Sequence, residues 1–147
     1  MIRKILLVSL LAMGFMGSTL KTEKVDMSPE QLRKTATHVI TGKVLTISER
    51  SETADDWKYT RYVAEIQIST IEKGQGLKTG DLVYARYWRR AWQGKRPPPP
   101  STAGHRGLPN VGEMIRVYLA RNAYDGFGDT NDGGFNVIGA NGFEKIE

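Results

Sequence analysis

Hydrophobic and polar residues alternate through much of the chain, which predicts a protein built mostly of β-strands. The clearest alternation lies in residues 57–71, WKYTRYVAEIQISTI. One face of this predicted strand is apolar and consists of Tyr62, Ala64, Ile66 and Ile68. Similar patterns predict further strands at residues 38–49, 81–88, 113–120 and 135–138. Because strands and helices do not alternate along the chain, we expect an antiparallel sheet.

The strand predicted at residues 38–49, HVITGKVLTISE, is interrupted by Gly42. An isolated glycine in a strand typically marks a bulge or the close approach of another backbone. We therefore expect this strand to bend at Gly42. The polar, acidic residues 51–56 predict a hairpin loop, and the glycines of residues 72–80, EKGQGLKTG, predict a second turn.

One short helix is predicted before the strands, at residues 29–37. Ser28 supplies an N-cap hydroxyl, Pro29 occupies the first helical position and Gln31 the third, which is the pattern of a capping box. Leu32 and Ala36 lie four residues apart on one face. Two apolar positions are enough to dock the helix on a sheet but too few to form a core.

These elements predict a mostly β fold, a small antiparallel Greek-key barrel of the OB type with about five strands and one short N-terminal helix. The chain has 147 residues, of which 39% are hydrophobic and 25% charged, a composition typical of one globular domain. We assign this single β-barrel domain to residues 28–147.

The N-terminal residues 1–18, MIRKILLVSLLAMGFMGS, place two cations before an apolar run that ends in small residues. This order predicts a secretory signal peptide, followed by a linker at residues 19–27. The apolar run is shorter than the roughly 20 residues that a bilayer core requires, so we expect no stable membrane span. The expected location is secreted or periplasmic, with an uncleaved N-terminal anchor as the alternative.

The chain contains no cysteine. It therefore has no disulfide, no thiolate metal site and no lipid attached through a cysteine. The domain must fold on its hydrophobic core alone, which about 125 residues can do.

The most specialised stretch is residues 81–107, DLVYARYWRRAWQGKRPPPPSTAGHRG. Its four consecutive prolines impose polyproline II geometry and cannot donate to a sheet, so the predicted strand ends before them. Residues 94–112 then form a long loop, and loops of this length are often functional. Six cations and no acid lie between residues 86 and 106. The candidate ligand-binding residues are Arg86, Trp88, Arg89, Arg90, Trp92, Lys95, Arg96, His105 and Arg106.

Cations beside indole rings favour an anionic partner, through charge, stacking and cation–π contacts. The expected partner is an acidic polysaccharide or an acidic protein surface, since nucleic acid is a less suitable ligand for an exported protein. The alternative is structural, with the tryptophans capping the barrel and the arginines solvated or paired. Binding requires a ring face of Trp88 or Trp92 in solvent. It also requires exposed, unpaired side chains at Arg89, Arg90, Lys95 and Arg96.

No catalytic or metal-binding motif is present. Residues 125–134, DGFGDTNDGG, supply oxygen ligands, but their spacing does not match a calcium loop and turn chemistry accounts for them. The two histidines, His38 and His105, belong to no metal-spaced or nucleophile–base pattern. We therefore expect no metal and no cofactor, and a binding protein rather than an enzyme. An uncharacterised hydrolase is the alternative.

The chain carries the runs VITGKV, IEKG, GDLVY, VYLA and NGFE in order between residues 38 and 144. In these runs it resembles the bacterial members of the netrin-like family, which share an OB-type barrel with the tissue inhibitors of metalloproteinases. The resemblance implies the same barrel and, as an alternative function, protease inhibition. Those inhibitors place an N-terminal cysteine on the protease zinc. This chain has none, so that mechanism is assigned to no residue here.

We expect the exported protein to begin near residue 19, because a small-residue segment at the end of the apolar run is where signal peptides are cleaved. The intact mass of protein recovered from the medium or the periplasm measures this. A mass that includes Met1 would contradict the prediction.

Overall fold

The computed structural model describes residues 25–100, 103–121 and 134–146. The predicted signal peptide and most of the predicted linker lie outside these ranges. Within them the elements are α1 (Pro29–Thr35), β1 (His38–Ala54), β2 (Trp57–Lys73), β3 (Leu82–Trp92), β4 (Met114–Arg121), β5 (Phe135–Val137) and β6 (Phe143–Lys145). The predicted mostly β class with one short helix is confirmed. No helix among the described residues is long and apolar enough to span a bilayer.

Helix α1 begins with the predicted capping box. The Gln31 amide donates to the Ser28 hydroxyl at 3.2 Å, and the Ser28 amide donates to the Gln31 side chain at 2.9 Å. Leu32 and Ala36 are buried as expected, in a cluster with side chains of β1 and β4. The helix ends at Thr35, two residues earlier than predicted, because the backbone is extended at Ala36.

The strands form one sheet in the order β1-β2-β3-β5-β4-β6, and β1 also pairs with β4. Five strands thus close into a ring, and the sixth strand, β6, pairs with β4. The prediction of a wholly antiparallel sheet is wrong, because β3 and β5 pair in parallel. The reason is geometric. Five strands cannot alternate in direction all the way around a closed ring, so one neighbouring pair must run in the same direction.

The main core lies between the strands of this ring. Ile66 and Ile68 on β2 and Val117 and Leu119 on β4 are at most 2% exposed and belong to one cluster of buried side chains. The predicted register of both strands is confirmed, since a slip of one residue would turn these side chains to the other face.

Strand β1 bends at Gly42, as predicted. Its pairing with β2 shifts register between Thr41 and Gly42 and again between Val44 and Thr46. A Cβ atom at Gly42 would lie 2.4 Å from the carbonyl oxygen of Gln67, so only glycine fits this approach. β1 pairs with β4 through residues 38–43 only. Beyond the bend it continues beside β2 alone.

The hairpin loop predicted at residues 51–56 is wrong, because β1 and β2 remain paired as far as Ala54 and Trp57. The turn consists of Asp55 and Asp56, with φ angles of 52° and 66°. Positive φ at both central residues matches the twist of a two-residue hairpin, and aspartate tolerates this conformation. β3 extends equally far, with Trp92 opposite Trp57. The result is a three-stranded extension, which we call the arm (residues 46–65 and 84–92).

Glu72 joins the helix to the sheet. Its carboxylate accepts hydrogen bonds from Arg33 on α1 at 2.6 Å and from Arg116 on β4 at 2.7 Å. Burial alone would raise the pKa of Glu72, but the two arginine hydrogen bonds outweigh it and hold the pKa below its usual value of 4.5.

We expect Glu72→Gln to lower the free energy of unfolding near pH 7 by about 1 kcal/mol. A lowered folded-state pKa contributes stability above pH 4.5 that is lost as the pH falls through the folded value. The difference between the variant and the native protein should therefore shrink as the pH falls below 4.5. Urea unfolding at pH 7 and at successively lower pH measures it.

Glu144→Gln is the matched control, because Glu144 also pairs with Arg116 but its side chain is 52% exposed. Its effect should be the smaller of the two. Equal losses for the two variants, or a loss at Glu72 that is independent of pH, would contradict the role of Glu72.

Candidate functional site

Most of the basic and aromatic candidates lie on a strand. The strand predicted to end at residue 88 continues to Trp92, so Arg89, Arg90 and Trp92 belong to the arm. Alternate residues of a strand face opposite sides. Tyr87 and Arg89 share the inner face with the core residues of β3. The outer face carries Arg86, Trp88, Arg90 and Trp92.

The outer face of the arm is a packed cluster of aromatic rings around one cation. The guanidinium of Arg90 lies 4.1 Å from the ring centroid of Trp57. The rings of Trp57 and Trp92 meet edge to face at 5.0 Å, and those of Tyr59 and Trp88 lie 6.4 Å apart. We call these five residues the outer cluster. Arg90 is 9% exposed, so the expectation that its side chain faces solvent is wrong, and Trp88, at 1% exposed, presents no ring face to solvent.

Arg86 connects two strands. Its Nε donates to the side-chain oxygen of Asn136 on β5 at 2.7 Å, and Asn136 is almost fully buried. Arg86 and Asn136 also face each other in the parallel pairing that closes the ring. The side chain of Arg86 thus links β3 to β5 and forms part of the structure of the ring.

The end of the long loop is bound to the edge of β3. The Arg90 amide donates to the carbonyl of Ala103 at 2.8 Å, and the His105 amide donates to the carbonyl of Trp88 at 2.9 Å. Gly104 between them has a φ of 93°, and a Cβ atom there would lie 2.7 Å from the Trp88 carbonyl oxygen. Glycine is therefore required for the loop to approach the strand this closely.

His105 is buried, and both nitrogens of its ring form hydrogen bonds with backbone groups. Nε2 donates to the carbonyl of Val137 at 2.8 Å, which leaves Nδ1 to accept from the Trp88 amide at 3.2 Å. His105 is 3% exposed. Its ring nitrogens are therefore committed to holding the loop between β3 and β5, which corrects the hypothesis that His105 contacts a ligand. His38 is also buried, with Nε2 at 2.8 Å from the carbonyl of Gln75.

A cleft of about 580 Å³ opens between the inner face of the arm and the long loop. We call it the inner cleft. The arm contributes Ile47, Glu49, Tyr62, Tyr87 and Arg89, and the loop contributes Ala103 and residues 105–110. Glu49, Tyr62 and Tyr87 lie directly opposite one another on three neighbouring strands.

The inner cleft combines one accessible cation with one accessible carboxylate. Arg89 and Glu49 are both exposed, and neither forms an ion pair with another described residue. They lie two strands apart, roughly 10 Å across the sheet. Between them the rings of Tyr62 and Tyr87 stack at 4.9 Å. Burial, and then the neighbouring Tyr62 and Glu49, raise the pKa of Tyr87 above its usual value, so its hydroxyl stays neutral.

Arg106 lines the inner cleft but is already paired. Its guanidinium forms an exposed ion pair with Asp26, and its amide donates to the carbonyl of Ala140 at 2.8 Å. The Ala140 amide donates in turn to the carbonyl of Val25 at 2.8 Å. Residues 25–27, within the segment predicted as a linker, are thus held against the domain.

The remaining candidates are Lys95, Arg96 and Trp92, the last of which also belongs to the outer cluster. They lie at the end of the arm beside Asp56, which we call the tip. Lys95 and Arg96 are exposed beside the prolines, next to a second hollow of about 630 Å³. Trp92 is half-buried, and its Nε1 donates to the carbonyl of Arg96 at 2.6 Å. The predicted surface is therefore divided among the outer cluster, the inner cleft and the tip.

Sequence reasoning missed Trp57 and Tyr59 as the partners of Arg90, and Glu49 and Tyr62 as residues of the inner cleft. The sequence carries no period-two signal here that could have found them, because residues 86–90 are all aromatic or cationic.

No group of three acidic or histidine side chains is placed to hold a metal ion within residues 25–100, 103–121 and 134–146. The acidic segment considered above as a calcium loop falls almost wholly at residues 125–133, outside these ranges.

We expect Arg90→Ala to destabilise the domain by about 2 kcal/mol, because a desolvated cation–π contact and the packing of the side chain are lost together. Arg89→Ala is the control, since Arg89 is the adjacent arginine and is exposed. Thermal unfolding followed by circular dichroism measures both. Equal midpoints for the two variants would show that the outer cluster is not structural.

Comparisons with protein-family models, with curated proteins and with solved structures found no match to this chain.

Proposed function

We propose that the protein is an exported, non-catalytic binding module that holds an anionic group of its ligand in the inner cleft. The observation that carries this proposal is Arg89, an exposed guanidinium on the wall of the cleft with no ion pair to another described residue. The N-terminal sequence pattern supports export. The partner is the acidic polysaccharide or acidic protein surface expected from the sequence.

The chemistry of Arg89 suits a planar or tetrahedral oxyanion. A guanidinium presents a rigid fork of donors that binds a carboxylate, sulfate or phosphate through two parallel hydrogen bonds. Glu49, on the far side of the cleft, repels a ligand with closely spaced anionic groups. It accepts hydrogen bonds from hydroxyl or amine groups instead. A ligand with one anionic group and neighbouring hydroxyls fits both ends.

An acidic polysaccharide fits this description better than an acidic protein surface. Each acidic sugar carries a carboxylate or sulfate beside several hydroxyls. The rung of the sheet next to Glu49 adds two more hydroxyls, those of Ser51 and Thr60, which lie 3.0 Å apart. The inner face of the arm therefore presents a guanidinium, a carboxylate and hydroxyls in and beside the inner cleft.

We further propose that the ring of five strands is a barrel of the OB type. Its strand order and its single parallel pair, between β3 and β5, support this. OB barrels bind oligosaccharides and oligonucleotides over the face of their second and third strands. The inner cleft involves the same two strands, with Tyr62 on β2 and Tyr87 and Arg89 on β3, but it lies on the side that continues from the core.

Two features bear on the alternative functions. The engagement of both His105 ring nitrogens by the backbone removes the one histidine of the inner cleft as a general base, which supports a non-catalytic role. The strand order supports the resemblance to the netrin-like family, so protease inhibition through a loop is the second candidate. Loss of activity in a panel of secreted metalloproteases on addition of the protein would favour it.

We expect Arg89→Ala to weaken binding of hyaluronan, a polysaccharide with one carboxylate per disaccharide, by about tenfold, the effect of losing one charge-assisted interaction. Arg89→Lys should weaken it less, because the charge remains and the fork is lost. Binding should also fall as salt is added. Isothermal titration calorimetry measures each affinity, with heparin as a sulfated probe and dextran as a neutral one.

The matched control is the double variant K95A/R96A, which removes two exposed cations at the tip and leaves the inner cleft intact. Its affinity should equal that of the native protein. A loss of affinity in this control, with no loss in Arg89→Ala, would show that the ligand binds at the tip and not in the inner cleft. Failure of both acidic polysaccharides to bind would rule out the proposed ligand class.

A further inference from the structure

The arm has one open edge. Residues 46–54 of β1 pair with β2 on one side, and on the other side no described residue hydrogen-bonds to them. Nine residues of strand extend for about 30 Å. The unpaired amide and carbonyl groups of such an edge form a template for pairing with another strand.

The side chains of this edge do not block such pairing. Proteins usually protect an open edge with a bulge, with prolines or with charged side chains, lysine above all. Residues 48–54, SERSETA, contain neither lysine nor proline, and the ladder shows no register shift there. The charges alternate in sign instead, with Arg50 between Glu49 and Glu52.

Arg50 is exposed and forms no ion pair with a described residue. It lies directly opposite Arg61 on β2, and two cations in opposite positions destabilise a sheet unless a carboxylate offsets them. Glu52, two residues along on the same face, is exposed and forms no ion pair with a described residue. A carboxylate placed against Arg50 from the open side would offset the repulsion.

We propose that two copies of the chain pair antiparallel through this edge, around a two-fold axis at Ser51. Arg50 of each copy then lies opposite Glu52 of the other, so that the interface has two cross-strand ion pairs. Glu49 lies opposite Thr53, and Ser48 lies opposite Ala54. No like charges face each other. Glu52 of each copy contacts Arg50 of the other copy, whose neighbour on the opposite side is Arg61 of its own chain.

The charges select this register over its neighbours. An axis at Arg50 would place the two copies of Arg50 opposite each other. An axis at Glu52 would place the two copies of Glu52 opposite each other. Both arrangements set like charges face to face, at a cost in each rung. The axis at Ser51 brings opposite charges together instead.

The contact is small, since one strand of about seven residues from each copy buries less surface than a standard protein interface. The dimer is therefore weak and depends on concentration. It does not depend on the ligand of the inner cleft, so the two proposals can fail separately.

Charge reversal tests the register. In a symmetric pair, R50E sets carboxylates opposite each other twice, and E52R sets arginines opposite each other twice. Each single variant should raise the dimer dissociation constant by about tenfold or more, as two attractive pairs become repulsive. The double variant R50E/E52R restores opposite charges and should recover the native value. Sedimentation equilibrium of the protein purified from expression of the full chain measures all three.

Two comparisons separate the interface from general charge effects. The monomer stabilities should move in opposite directions, because R50E relieves the repulsion from Arg61 and E52R adds to it, whereas both weaken the dimer. Lys78→Glu, a charge reversal in the turn between β2 and β3 and outside the arm, should leave dimerisation unchanged. A native protein that stays monomeric up to about 1 mM, far above the range of specific interfaces, overturns the proposal. A double variant that fails to recover dimerisation, or an equal effect of Lys78→Glu, also overturns it.

Discussion

The close contact between Gly42 and the carbonyl of Gln67 governs much of this architecture. It bends β1, so that the first six residues of the strand pair with β4 and complete the ring while the rest continues beside β2. A straight strand of 17 residues could not serve both purposes. The arm, its open edge and the inner cleft exist because the strand leaves the ring at this point.

Two adjacent arginines on the arm show how little residue type says about role. Arg89 and Arg90 differ by one position, and therefore by one face of the strand. The guanidinium of Arg90 lies against aromatic rings, which replace part of its hydration. Arg89 keeps its hydration and its charge remains available. The alternation of the strand, rather than local composition, separates the structural cation from the accessible one.

The sequence predicted features whose cause is local, such as the capping box at Ser28, the buried faces of β2 and β4 and the bend at Gly42. It did not predict the length of the arm, because residues 51–54 are exposed and their polarity is equally typical of a loop. The parallel pair follows from closure of an odd-numbered ring, a property of no single segment. The candidate residues are divided among the outer cluster, the inner cleft and the tip because β3 continues to Trp92. The prolines at residues 97–100 show that the strand ends before them but not where it ends.

The outer cluster has a consequence for spectroscopy. The chain has three tryptophans, at positions 57, 88 and 92, and all of them lie in this cluster. Tryptophan fluorescence therefore reports on the arm, whereas far-ultraviolet circular dichroism reports on the strands of the arm and the ring together. Local opening of the arm would change the tryptophan emission while the strands of the ring remain paired. Comparison of the two signals would show whether the arm and the ring unfold as one cooperative unit.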